Sequence, residues 1–172
     1  MSGQVFADET KHRDYLMVAA VLLPPDVAPL RRVVRGQRRL RMSKESAPRR
    51  RVIAETIAGS GVSAVPFDAE PVDGDELGLR RACLRGVVAH VDDVGADRLV
   101  LGRDDSVLRW GPAVVGGDHP GAGLPGHRAL RVRARAAEGL LLSVPDATAW
   151  WWGRGGDWRR RIRPAVTTVE LV

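Results

Sequence analysis

Residues 15 to 23 read YLMVAAVLL and run straight into Pro24 and Pro25. A strand this apolar on both faces belongs in the middle of a sheet covered on both sides. The run is too short to cross a bilayer. The prolines stop it, and ETKHRD (9–14) before it is a short polar connection. With VFADE upstream, the opening predicts a hairpin of two strands, 3–9 and 15–23.

Further along, Asp26 offers an N-cap for a short basic helix in VAPLRRVVRGQRR (27–39). RRLRMS (38–43) alternates and predicts a third strand, Leu40 and Met42 on one side and Arg39 and Arg41 on the other. In KESAPRRRVIAETIAGSG, Ser46 caps a helix, Pro48 fits its first turn, and Gly59 and Gly61 end it. VSAVPFDA (62–69) reads as a strand despite Pro66. Residues 76–95 form a helix with a broad apolar face of Leu77, Ala82, Leu84, Val87, Val88 and Val91. Cys83 and His90 on it read as packing. RLVLGRDDS (98–106) is a short strand ending in acids, and ALRVRARA (129–136) is a strand with one arginine face. Between them, 111–127 is rich in Gly and Pro and reads as a long loop carrying His119 and His127. A short helix from Asp146 to Trp152, a basic turn and an extended segment close the chain. Early hairpins followed by strand–helix alternation predict one α/β domain over 1–172, a mixed sheet flanked by helices.

Composition narrows the function. Of 27 basic residues only Lys11 and Lys44 are lysine, and the formal net charge is +6. Arginine makes bidentate phosphate contacts, so the surface suits a polyanion, although a GC-rich genome gives the same arginine bias. One cysteine excludes an intrachain disulfide and a cysteine-based zinc site. MSGQVFADE lacks the layout of a secretion signal, and a cytoplasmic protein with no membrane partner is expected. There is no phosphate-cradling GxxxxGK[ST], no HExxH, no GxSxG and no GxGxxG after a strand.

The acids stand out instead. Asp8 and Glu9 end the first predicted strand, and Asp104 and Asp105 end the one at 98–106. Glu45 stands at the entrance of the first long helix, and Asp146 at the start of the last. Each has a plain reading as a turn residue or helix cap. Together they predict a carboxylate cluster at one sheet edge. Clustered like charges repel, and a divalent cation with a preference for hard oxygens, Mg²⁺ or Mn²⁺, resolves the repulsion. Asp68 also ends a predicted strand and is a rival third acid. Trp150 to Trp152, Trp158 and the arginine runs Arg49, Arg50, Arg51 and Arg159, Arg160, Arg161 are candidate contacts to RNA or DNA. At 100° per residue three consecutive tryptophans cannot all face one way, so at least two are assigned to the core.

VFADETKHRDYLMVAAVLLP, RRLRMSKESAPRRR, RLVLGRDDSVLRW and VPDATAWWWGRGGDWRRRIRP, together about half of the chain, carry a resemblance. The layout resembles the ribonuclease H-like superfamily. More narrowly it resembles the uncharacterised bacterial proteins catalogued as domain of unknown function 3800, especially an actinobacterial branch. The resemblance implies a five-stranded sheet ordered 3-2-1-4-5. It also implies a metal-dependent nuclease in which Asp8, Asp104 or Asp105, and Asp146 hold Mg²⁺ or Mn²⁺ and Glu45 completes the site. The Gly/Pro-rich 111–127 departs from the pattern, which places a helix after RDDSVLRW. The alternative expectation is a non-catalytic nucleic-acid-binding or protein-interaction module on the same fold.

Overall fold

The structure, a computed structural model, describes residues 3–12, 14–22, 24–33, 40–69, 76–96, 98–102 and 141–172. Asp104, Asp105, the 111–127 loop and the expected strand at 129–136 lie outside them. Five strands form one mixed sheet: β1 (Gln4–His12), β2 (Asp14–Leu22), β3 (Ser63–Ala69), β4 (Arg98–Leu101) and β5 (Glu170–Leu171), in the order β4-β1-β2-β3-β5. β1, β2 and β3 are successively antiparallel. β4 runs parallel to β1, with Ala7 opposite Leu101, and β5 runs parallel to β3. The expected five-stranded mixed sheet is present, but the strand beside β2 is Ser63–Ala69 and not the expected third strand at 38–43. The fifth described strand lies against β3, at the other edge from the position expected beyond β4.

Side chains of a strand alternate between its faces, and each face of this sheet has its own core. Val5, Ala7, Met17, Ala19, Val65, Phe67, Leu99 and Leu101 face α3 (Glu76–Asp93), meeting Cys83, Leu84, Val87, Val88 and Val91. Gly86 lets that helix sit close: a Cβ there would stand 2.6 Å from the Phe67 ring. Phe6, Leu16, Val18, Ala20, Leu22, Ala64 and Val100 face the opposite helical layer. That layer comprises α1 (Pro24–Val33), α2 (Ala47–Ala58), α4 (Ser143–Arg154) and α5 (Gly156–Ile162). β2 sits at the centre, with Leu16 to Ala20 all buried, as its two-sided apolar sequence requires.

Ser46 caps α2 by accepting the Arg49 N–H at 3.4 Å, and Gly59 ends the helix. Other local expectations need correction. The hairpin has almost no polar connection, because pairing continues through ETKHRD to His12 opposite Asp14. Cross-strand hydrogen bonding outweighs the polarity of those residues. α1 begins at Pro24, not after Asp26, since the first turn of a helix does not need the N–H groups that proline lacks. α4 begins at Ser143, three residues before Asp146.

The described part of the expected strand at 38–43 is not a strand. Leu40 and Met42 are both buried, as the alternation requires, but they dock on helices. The Leu40 N–H donates to the buried Ser143 Oγ at 3.1 Å. The chain then closes into a 3-10 turn at Met42–Lys44, where the Lys44 N–H donates to the Arg41 carbonyl. Alternation reports burial of one side, and here helices supply the cover that a sheet was expected to supply.

Candidate active site

Asp8 and Glu9 do not end a strand. They sit mid-way along β1, and strand alternation sends them to opposite faces of the sheet. Glu9 goes to the α3 side, where its Oε2 lies 3.2 Å from Nε of Arg80; both side chains are largely buried. Asp8 goes to the α4 side, in line with Phe6 and opposite Val18, and is only 7% exposed. Its Oδ1 accepts the Glu9 N–H at 3.0 Å. A carboxylate at that depth is costly unless hydrogen bonds or cations compensate it.

Asp8 stands where the parallel ladder with β4 ends. Ala7 pairs with Leu101, and the Gly102 N–H donates to the Ala7 carbonyl at 2.9 Å. Gly102 lies directly against the Asp8 carboxylate: a Cβ there would fall 2.4 Å from Oδ1 and 2.7 Å from Cγ. Asp104 and Asp105 follow Gly102 by two and three residues, outside the described residues.

Asp68, the rival acid, shares the sheet face of Asp8 but pairs with Leu16 on the far side of β2. Two strand spacings, roughly 10 Å, separate β1 from β3. Asp68 is thus not on the strand next to Asp8, whereas the end of β4 is.

Asp146 lies in the first turn of α4, and its N–H donates to the Leu142 carbonyl. α4 packs on β1 and β2, the sheet face that carries Asp8. Together with Arg41, Met42, Ser43 and Trp150, Asp146 lines a cleft of about 240 Å³ between the 3-10 turn and the helix. Glu45 follows that turn directly and precedes the Ser46 cap, half-buried. Among the described residues no three His, Cys, Asp or Glu side chains are grouped to hold a metal. The carboxylates present are hard oxygen donors of the type that suits Mg²⁺ or Mn²⁺. Asp8 beside the bare Cα of Gly102 is the best-formed part of such a site.

The expected nucleic-acid contacts divide. Arg49 donates to the Val33 carbonyl. Arg50 donates to the carbonyls of Met42 (2.7 Å) and Ser43 (3.1 Å) and lies 4.9 Å from the Trp150 ring centroid. Arg51 is exposed. Arg159 donates twice to the Trp152 carbonyl and stacks on that ring. Arg160 and Arg161 reach Asp157 at 3.3 and 2.8 Å. Hydrogen bonds from Arg161 and then Arg160 hold the Asp157 carboxyl below its ordinary pKa. Trp151 and Trp152 are buried in the core, while Trp150 is partly exposed and meets Trp158 edge-on at 5.9 Å.

Four residues of these sites were not singled out by the sequence patterns. Gly102 carries a signal, since glycine at a strand end marks a close approach. Arg80 also carries one, because it precedes Cys83, Leu84 and Val87 at helical spacing and so falls on the buried stripe. Arg41 and Arg154 carry none that sets them apart from other arginines.

No described helix is long and apolar enough to cross a membrane. Family models, curated proteins and solved structures return no match to this chain.

Proposed function

We propose that this protein is a metal-dependent phosphodiester-cleaving enzyme of ribonuclease H-like fold, acting on RNA or DNA. The observation that carries the reading is the placement of Asp8. It is a buried carboxylate on the central antiparallel hairpin, at the end of the parallel ladder with β4, with the Gly102 backbone held against it. The strand run 3-2-1-4 and the packing of α4 on the same sheet face support it. In this reading Asp8, Asp104, Asp105 and Asp146 hold Mg²⁺ or Mn²⁺, with Glu45 completing the site. The cation supplies activation of water and stabilisation of the leaving oxygen. Asp8 is the fixed member: the β-ladder sets its backbone and the Glu9 N–H orients one oxygen.

The test is calorimetric titration of Mn²⁺ into the wild type and Asp8→Asn, followed by cleavage assays on labelled single-stranded and duplex RNA and DNA. Binding by the wild type, abolished in Asp8→Asn together with Mn²⁺-dependent cleavage, is the expected result. Absence of binding at millimolar metal, with or without oligonucleotide, overturns the catalytic reading and leaves the non-catalytic binding module.

A further inference from the structure

We propose that the cleft between the 3-10 turn and α4 receives the phosphate backbone of a single-stranded nucleic acid, gripped by Arg41, Arg50 and Arg154. The inference rests on the reading of this chain as one that acts on nucleic acid, and it names the surface that holds the strand.

Trp150 organises the surface. Cζ of Arg154 lies 4.6 Å and Cζ of Arg50 4.9 Å from its ring centroid. A tryptophan face attracts guanidinium groups, and this offsets the repulsion between two cations held on one ring. Trp158 packs edge-on against the same ring and helps hold it. Arg50 is anchored further by its bonds to the Met42 and Ser43 carbonyls, which use only part of its donor set. Arg41 lines the cleft, and both Arg41 and Arg154 are exposed. Among the described residues no hydrogen bond or ion pair engages either guanidinium.

The cleft lining holds one cation, Arg41, and one acid, Asp146, and Arg50 and Arg154 add two more cations beside it on the Trp150 ring. The balance favours an anion. At about 240 Å³ the cleft is below the roughly 300–1,000 Å³ of pockets that enclose a whole small ligand. It suits one sugar and phosphate of a longer chain. A duplex is a rod too wide to enter it, whereas a single strand can lay its backbone across it. Cations set around an aromatic side chain are the usual equipment for single strands. Arg160 and Arg161, in contrast, are already engaged by Asp157.

The test is fluorescence anisotropy with labelled ten-nucleotide oligothymidylate, oligouridylate and a ten-base-pair duplex, in EDTA, over a series of salt concentrations. Three proteins are compared: wild type, Arg41→Ala/Arg154→Ala, and the equally discharged Arg32→Ala/Arg85→Ala, whose arginines are also exposed. Circular dichroism verifies folding of each. Single-strand contacts contribute about 0.7 each to the slope of log K against log salt. The cleft variant is expected to lose about 1.4 from that slope for a single strand, two contacts at about 0.7. The control is expected to keep the wild-type slope. Equal losses in both variants, tighter binding of the duplex, or no binding by wild type at low salt would overturn the proposal. Metal is absent throughout, so the outcome is independent of Asp8. Wild type that binds Mn²⁺ but no oligonucleotide sinks the cleft alone, and wild type that binds oligonucleotide but no Mn²⁺ sinks the catalytic reading alone.

Discussion

The Cα of Gly102 rests against the carboxylate of Asp8, so close that a methyl group on it would fall 2.4 Å from Oδ1. No real Cβ tolerates that distance, and the Gly102 backbone is tied to Ala7 by a hydrogen bond. In Gly102→Ala the carboxylate is therefore what moves. The expected outcome is a loss of Mn²⁺ affinity of at least about tenfold, equivalent to ~1.4 kcal/mol. The melting temperature should fall by only a few degrees, since the sheet core does not depend on the Asp8 rotamer. Calorimetry beside thermal melting measures both. Unchanged metal binding would show that the present position of Asp8 is not the binding one.

On the other side of β1, Glu9 and Arg80 form an ion pair, each with little solvent access. Removing one partner of a buried pair strands the other charge and costs about 3–5 kcal/mol. Replacing both with apolar residues removes the stranded charge. Arg80→Met is thus expected to destabilise by that amount, and Glu9→Leu/Arg80→Met by clearly less than either single change. Urea denaturation of the three variants tests this. Equal destabilisation by the double and single variants would show that the residues act through packing rather than charge.

The Glu9–Arg80 pair also shows what was legible in the sequence. The hairpin, the capped helix at Ser46, the strand with Pro66 and the helix over 76–93 follow from patterns spanning several residues, and such patterns report local burial well. The acids at 8 and 9 look like one feature in a sequence, yet they serve opposite faces. The difference comes from strand alternation once β1 extends past them to His12. RRLRMS misleads for a related reason: Leu40 and Met42 are buried as predicted, but the partner that buries them is a helix about a hundred residues later. Register and partner identity are long-range facts. The nearness of Gly102 to Asp8 depends on both, and a glycine before two aspartates gave only a hint of it.

Cys83 is fully buried, and its Sγ lies 3.5 Å from the Phe67 carbonyl. Burial pushes the thiol up to about 12. In the native state it should resist a thiol reagent at pH 8, with labelling tracking global unfolding. The pH dependence has a definite sign. Because the folded pKa is raised, the unfolded chain loses its thiol proton first as pH rises. The stabilising contribution is complete below the ordinary thiol value near 8.5 and declines toward 12, by up to about 1.4 kcal/mol per pH unit. Urea denaturation at pH 8 to 10.5 should show a steeper decline for wild type than for Cys83→Ala. Parallel declines would assign the pH dependence to other groups.

Ser143 makes the last connection, between the first turn of α4 and the chain that forms the cleft. Its hydroxyl is fully buried and accepts the Leu40 N–H at 3.1 Å. Ser143→Ala leaves that backbone donor in the core with no acceptor, a penalty of about 1–3 kcal/mol. The methyl group that replaces the hydroxymethyl is smaller, so the change introduces no clash. Leu40 directly precedes Arg41, and Met42 and Ser43 lie with Asp146 and Trp150 along the cleft. Loosening this anchor should therefore weaken binding of single-stranded oligonucleotides as well as stability. Denaturation and anisotropy on the same variant separate the two effects: full stability loss with wild-type affinity would show that the 3-10 turn holds its place through Met42 and the carbonyl bonds of Arg50 rather than through Ser143.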